Sequence, residues 1–95
     1  MNWNLPTKKP EPRYFVLLLL EVGEAIFDEF GDVSHFNVYD DIVRGLWDGE
    51  AFIERPFDQP PRGAPIECNL YARKVFVKGW VYIPSFAKEI KEQFN

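Results

Sequence analysis

Residues 27–52, FDEFGDVSHFNVYDDIVRGLWDGEAF, hold seven carboxylates (Asp28, Glu29, Asp32, Asp40, Asp41, Asp48 and Glu50) and one arginine, Arg44. Carboxylates grouped this way can move protons in acid–base catalysis or hold a hard cation such as calcium or magnesium. A calcium loop needs acids at alternate positions ahead of a glycine. The chain has only the fragment Asp48-Gly49-Glu50. Structural zinc needs paired cysteines and histidines at short spacing. His35 and Cys68 are the only histidine and the only cysteine, and they lie far apart in sequence. No metal and no cofactor is expected.

Nucleophilic catalysis fares no better. His35 would have to serve as the base of any Cys–His or Ser–His pair, and beside Ser34 it reads as a capping or surface residue. Ser85 and Lys88 match the S-x-x-K of penicillin-recognising enzymes, but the companion S-D-N is missing and the chain is too short for that fold. Neither G-x-G-x-x-G nor a Walker pattern is present. Ninety-five residues also leave little room for a cleft. The expectation is a protein that binds and does not catalyse.

Charge is sharply segregated along the chain. The net formal charge of −4 divides into +2 over residues 1–20, −9 over residues 21–58 and +3 over residues 59–95. Arg73, Lys74 and Lys78 interleave with Tyr71, Phe76 and Trp80, a pattern that can track a single nucleic-acid strand. Six bases over 37 residues beside a block of −9 would repel phosphates, so no direct nucleic-acid binding is expected.

The elements that must carry these residues follow from periodicity and punctuation. Residues 1–12, with three prolines, read as an extended arm. Pro12 suits a first helical turn, and Phe15, Leu19, Val22, Ile26 and Phe30 recur at helical spacing up to Gly31. A strand is the alternative for the run YFVLLLL at 14–20, but no turn signal divides the segment, so one helix is predicted. Ser34 or Asn37 would cap a second helix carrying Tyr39, Ile42, Val43 and Leu46, ended by Gly49. AFIER, at 51–55, suits a short strand, and residues 55–65 form a proline-rich loop.

Beyond the loop, β-branched and aromatic residues dominate. VFV and WVYI look like two strands of a C-terminal β-hairpin turning at Lys78-Gly79. Ser85 would cap a closing helix with Phe86, Ile90 and Phe94 on one face. The predicted class is α+β: residues 13–95 form a single domain of two N-terminal helices, a small antiparallel sheet and a short closing helix.

Lys8, Lys9 and Arg13 before YFVLLLL imitate a signal peptide, but the run is short, Glu21 and Glu24 follow it, and no A-x-A site appears. It is also far short of the ~20 apolar residues that span a bilayer. With one cysteine, the chain suits a reducing, cytoplasmic compartment away from membranes.

On the predicted helices Glu21, Glu24, Asp28 and Asp32 would form a continuous negative row, with Asp40, Asp41, Asp48 and Glu50 continuing the acidic surface. Tyr39 and Trp47 would be aromatic anchors at its edge. Such a surface suits a basic protein partner. Small inhibitors of nucleic-acid enzymes, of the phage anti-defence or toxin-immunity type, place carboxylates where phosphates would sit. The alternative is an accessory subunit of a larger complex, or a homodimer, held by hydrophobic contacts through YFVLLLL with the acids merely solvated.

Overall fold

The computed structural model describes residues 2–55 and 65–83. Every regular element within them is a β-strand: β1 (Val16–Phe27), β2 (Val33–Trp47), β3 (Phe52–Glu54), β4 (Cys68–Asn69) and β5 (Arg73–Tyr82). The strands form one antiparallel sheet in the order β3-β2-β1-β5-β4.

The α+β expectation is corrected: both stretches predicted as N-terminal helices are the two longest strands. The apolar run belongs to β1, the central strand, which pairs with β2 on one side and β5 on the other. Val16, Leu18, Leu20 and Val22 are buried on its inner face, while Leu17 and Leu19 are half-buried on the outer face. A strand covered on both faces carries a continuous apolar run instead of strict alternation. In β2 the helical spacing of Tyr39, Ile42, Val43 and Leu46 is coincidental, because β-branched and aromatic residues recur throughout the strand.

The glycine signals were real but served turns. Gly31 has φ +83° in the turn joining β1 to β2, and Gly49 has φ +103° between β2 and β3. A glycine with positive φ can end a helix or turn a hairpin, so its presence alone does not distinguish them.

A second correction concerns Lys78-Gly79, which is not a turn. β5 runs straight through it, and its register against β1 shifts between Leu19 and Leu20, leaving Lys78 as the extra residue of a bulge. Gly79 answers a different need. A Cβ there would lie 3.0 Å from Trp3 Cβ and 3.1 Å from the Asn4 carbonyl oxygen. The hairpin near the C-terminal end is β4–β5 instead, with Cys68 opposite Val75 and Asn69 opposite Lys74. The short strand expected in AFIER is β3. The predicted closing helix after Ser85 lies outside the described residues, as does the proline-rich loop apart from its ends, Arg55 and Pro65.

The sheet curls into a half-barrel around Val16, Leu18, Leu20 and Val22 of β1, Val75, Val77 and Trp80 of β5, and Phe52 of β3. Residues 65–69 tie its two edges together. Ile66 N–H donates to the Phe52 carbonyl at 2.8 Å, and two residues later, at Cys68, the same segment pairs with β5. The N-terminal arm crosses one end. Asn4 and Trp80 exchange both backbone hydrogen bonds, at 2.8 and 3.0 Å, and Lys9 Nζ lies 4.7 Å from the centroid of the Trp47 ring. Trp80 is almost wholly buried, and its indole N–H donates to the Lys8 carbonyl at 2.6 Å. The arm thus supplies the acceptor that a buried indole requires.

Gly45 marks the tightest approach in the core. A Cβ at this position would stand 2.5 Å from Leu18 Cδ1 and 2.6 Å from the Ile53 carbonyl oxygen, and the latter is backbone that cannot swing away. Gly45→Ala is expected to destabilise the fold by about 1–3 kcal/mol through overpacking. Urea denaturation measures this, and an unchanged midpoint would show that the β2–β3 pair separates at little cost.

Candidate functional site

In an antiparallel pair, residues opposite one another share a face, and successive residues alternate between faces. This rule redistributes the acids that a helix would have aligned. Glu21 lies opposite Asp40 and shares its face, the outer one. Glu24 and Asp41 fall on the inner face, level with Asn37 and Leu20 respectively. Asp28 and Asp32 belong to the turn at the far end of the β1–β2 hairpin. Asp48 and Glu50 sit in the β2–β3 turn, beyond the opposite end of β2.

The basic C-terminal strand partly neutralises the acidic hairpin. Arg73 pairs with Glu24 on the inner face, and Lys78 Nζ lies 3.1 Å from Asp40 Oδ1 on the outer face. Lys78 is positioned by the bulge in β5 and reaches across β1 to β2. Lys74 Nζ stands 4.9 Å from the Phe36 ring centroid. Two of the bases that suggested nucleic-acid contact are therefore engaged by carboxylates of the same chain.

Tyr39, half-exposed, joins the inner-face pair by donating its hydroxyl proton to Glu24 Oε1 at 2.9 Å. That hydrogen bond to a carboxylate raises the phenol pKa above its ordinary 10.0, with slight burial adding to the effect. Trp47, the other expected anchor, is packed within the molecule: its ring meets Phe52 edge-on at 5.0 Å, beneath Lys9.

The hairpin turn is built by one acid. Asp28 Oδ1 accepts hydrogen bonds from the N–H groups of Phe30 (2.9 Å) and Asp32 (3.0 Å), while Asp28 N–H donates to the Asp32 carbonyl. The turn thereby holds Phe30 out at 81% exposure among Asp28, Glu29 and Asp32. Asp48 does similar work in the β2–β3 turn, accepting from Glu50 and Ala51 N–H, both at 2.8 Å. The Ala51 bond, then the Glu50 bond, hold the Asp48 carboxyl below its ordinary 3.8.

Sequence reasoning overlooked Phe30 as a displayed side chain. The signal was present: D-E-F-G-D between two apolar runs is hairpin punctuation, with glycine at the position that needs positive φ. It also overlooked a cleft of about 260 Å³ on the inner face, floored by Leu20, Val22, Val43 and Val75, where Asp41, Glu54 and Arg73 meet Cys68. Among the described residues, no group of three or more histidine, cysteine or carboxylate side chains is placed to hold a metal ion. Among them also, no helix is long and apolar enough to cross a membrane.

No family model, no curated protein and no solved structure matches this chain. What can be said of its function rests on its own geometry.

Two titrations test this local electrostatics. Tyr39 should ionise above 10.0, and Glu24→Gln should bring it back toward 10.0, read by ultraviolet absorbance. Because the folded value is raised, the stabilising contribution is present below 10.0 and disappears as pH rises through the folded midpoint. For Asp48 the sign reverses. Its contribution is present above 3.8 and disappears as pH falls through a lower folded midpoint, which the Glu50 and Ala51 amide shifts should report by NMR.

Proposed function

We propose that this chain is a small acidic interaction protein whose β1–β2 hairpin is offered to a basic groove of a protein partner, in the manner of inhibitors that occupy nucleic-acid-binding surfaces. One observation carries the reading. From Tyr14 to Val43 there is no lysine or arginine, and the hairpin these residues form ends in a turn that displays Phe30 between Asp28, Glu29 and Asp32. β5 pairs with β1 as far as Glu24, the Ala72 carbonyl then accepts from Ala25 N–H at 2.9 Å and the Tyr71 ring lies 6.3 Å from that of Phe27, so what extends past the half-barrel is the end of the hairpin with its turn.

A projecting acidic ribbon differs from an acidic helix face in how it would bind. Its carboxylates lie on both faces and at the tip, so it suits insertion into a groove better than docking on a flat surface. Within a low-dielectric groove lined by lysine and arginine, carboxylates form charge-assisted hydrogen bonds, and steering by the net −4 charge would raise the association rate. Phe30 would supply the buried aromatic contact that such interfaces concentrate their affinity in. The protein would act by binding, not by catalysis, in a reducing, cytoplasmic setting that suits its single cysteine.

Asp28 also builds the turn, so charge reversal is best placed on residues without that duty. Glu29→Lys, Asp32→Lys and Asp41→Lys together should abolish capture of a basic partner from the source lysate while leaving far-ultraviolet circular dichroism unchanged. The wild-type complex should dissociate as salt rises. Capture that survives both the substitutions and high salt would sink the acidic-surface reading and favour a hydrophobic accessory subunit.

A further inference from the structure

β2 extends from Val33 to Trp47, yet β3 pairs only with Gly45, Leu46 and Trp47. Among the described residues, no strand pairs with the outer edge of residues 33–43. The Arg55 N–H donates to the Arg44 carbonyl at 2.9 Å, so Arg44 turns its backbone groups away from β1. That orientation repeats at every second residue of an antiparallel strand. Asp40, Val38 and Phe36 therefore also direct N–H and C=O outwards, as does Ile42, whose N–H donates to Asp41 Oδ1 at 2.9 Å within the single chain and exchanges that acceptor on pairing. The regular edge stops at Ser34, the extra residue where the register shifts between Ile26 and Phe27.

Sheet proteins usually blunt such an edge with lysine, proline, a bulge within it or a covering segment. Residues 35–43 contain neither lysine nor proline, and their pairing with β1 is unbroken. Val38 and Ile42 on this stretch are 59% and 55% exposed. The only acids are Asp40 and Asp41, so an incoming strand must place something other than a carboxylate opposite them.

We propose that the edge is filled by a second copy of this chain, β2 pairing antiparallel with β2 about a two-fold axis at Tyr39. An axis there, and at no other residue, pairs all four outward-directed residues with one another: Phe36 with Ile42 and Val38 with Asp40, in both directions. The side chains then match. Phe36 meets Ile42 of the second copy, Asn37 meets Asp41, and the two Tyr39 rings face each other across the axis. No carboxylate lies directly opposite another. The Asp40 pair is diagonal, and Lys78 already compensates each member at 3.1 Å.

The ends also agree. Pairing reaches Val43 where Arg55 takes over as the neighbour of Arg44. There the second copy arrives at its own Ser34 bulge, which bends a strand out of the ladder. Its acidic turn, with Asp28, Glu29 and Asp32, comes to the side where Arg55 begins, opposite in charge. The two five-stranded sheets become one continuous sheet, and a closed isologous interface leaves no further β2 edge for polymerisation. This goes beyond the acidic-surface reading and stands whether or not a basic partner exists.

Sedimentation equilibrium of the purified full chain should give twice the 11.2 kDa of one copy, increasingly so as concentration rises through the micromolar range. Val38→Pro removes an outward N–H and no bond to β1, so it should abolish the dimer with circular dichroism unchanged. In a Cys68→Ser background, Tyr39→Cys should cross-link on mild oxidation, because directly opposed residues lie about 4.5 Å apart by Cα, within disulfide range. Val38→Cys, set diagonally at about 7–8 Å from its own copy, should not. A wild-type mass of 11.2 kDa up to millimolar concentration overturns the proposal. So does a folded Val38→Pro variant that stays dimeric, or cross-linking equally efficient at residues 38 and 39.

Discussion

The structure depends on the two ladders of β1. As the central strand it hydrogen-bonds to β2 along its whole length and to β5 from Val16 to Glu24, and its inner side chains are the most deeply buried aliphatics in the half-barrel. Everything else is positioned from it. The curl that brings Phe52 and Trp80 over Val16 and Leu18 depends on β1 keeping register on both sides. So does the segment at 65–69 that ties the sheet edges together. Gly45 is obligatory opposite Val16 for the same reason, since Leu18 and the Ile53 carbonyl occupy the space a side chain would need.

That strand order also decides how charge is arranged. The acidic and basic blocks are far apart in sequence, but β1 lies between β2 and β5 and brings them within reach. Glu24 meets Arg73 on one face, and Asp40 meets Lys78 on the other. These pairs are largely exposed, so each adds little stability. Their consequence is positional: one acid on each face, Glu24 and Asp40, is compensated, whereas the turn at the hairpin's end keeps Asp28, Glu29 and Asp32 with no base nearby in sequence.

The hairpin creates both functional candidates, and they use different parts of it. The turn displays charge and one aromatic ring. The long outer edge of β2 displays backbone donors and acceptors. A ribbon that outgrows its neighbours necessarily leaves such an edge, because β3 covers three residues of a fifteen-residue strand. That stretch carries neither lysine nor proline, two of the usual protections of an edge.

The amino-acid sequence by itself determined the segregation of charge, the lack of zinc-site spacing and of nucleotide-binding motifs, Gly31 and Gly49 as the ends of elements though not which elements, and a short strand at Phe52–Glu54. It did not determine whether residues 14–47 are helical. Leucine-rich and valine-rich runs satisfy either period when both faces of a strand are covered, and Phe15, Leu19, Val22, Ile26 and Phe30 fit a helix by count alone. Tertiary structure decided that question by giving β1 two hydrogen-bonding neighbours, one of them 49 to 66 residues distant. With it came the alternation that divides the acidic row between two faces, the bulge that aims Lys78 at Asp40, and the long outer edge of β2 that no described strand pairs. Each of these is a relation between strands remote in sequence, and no local propensity encodes which strand will be the neighbour.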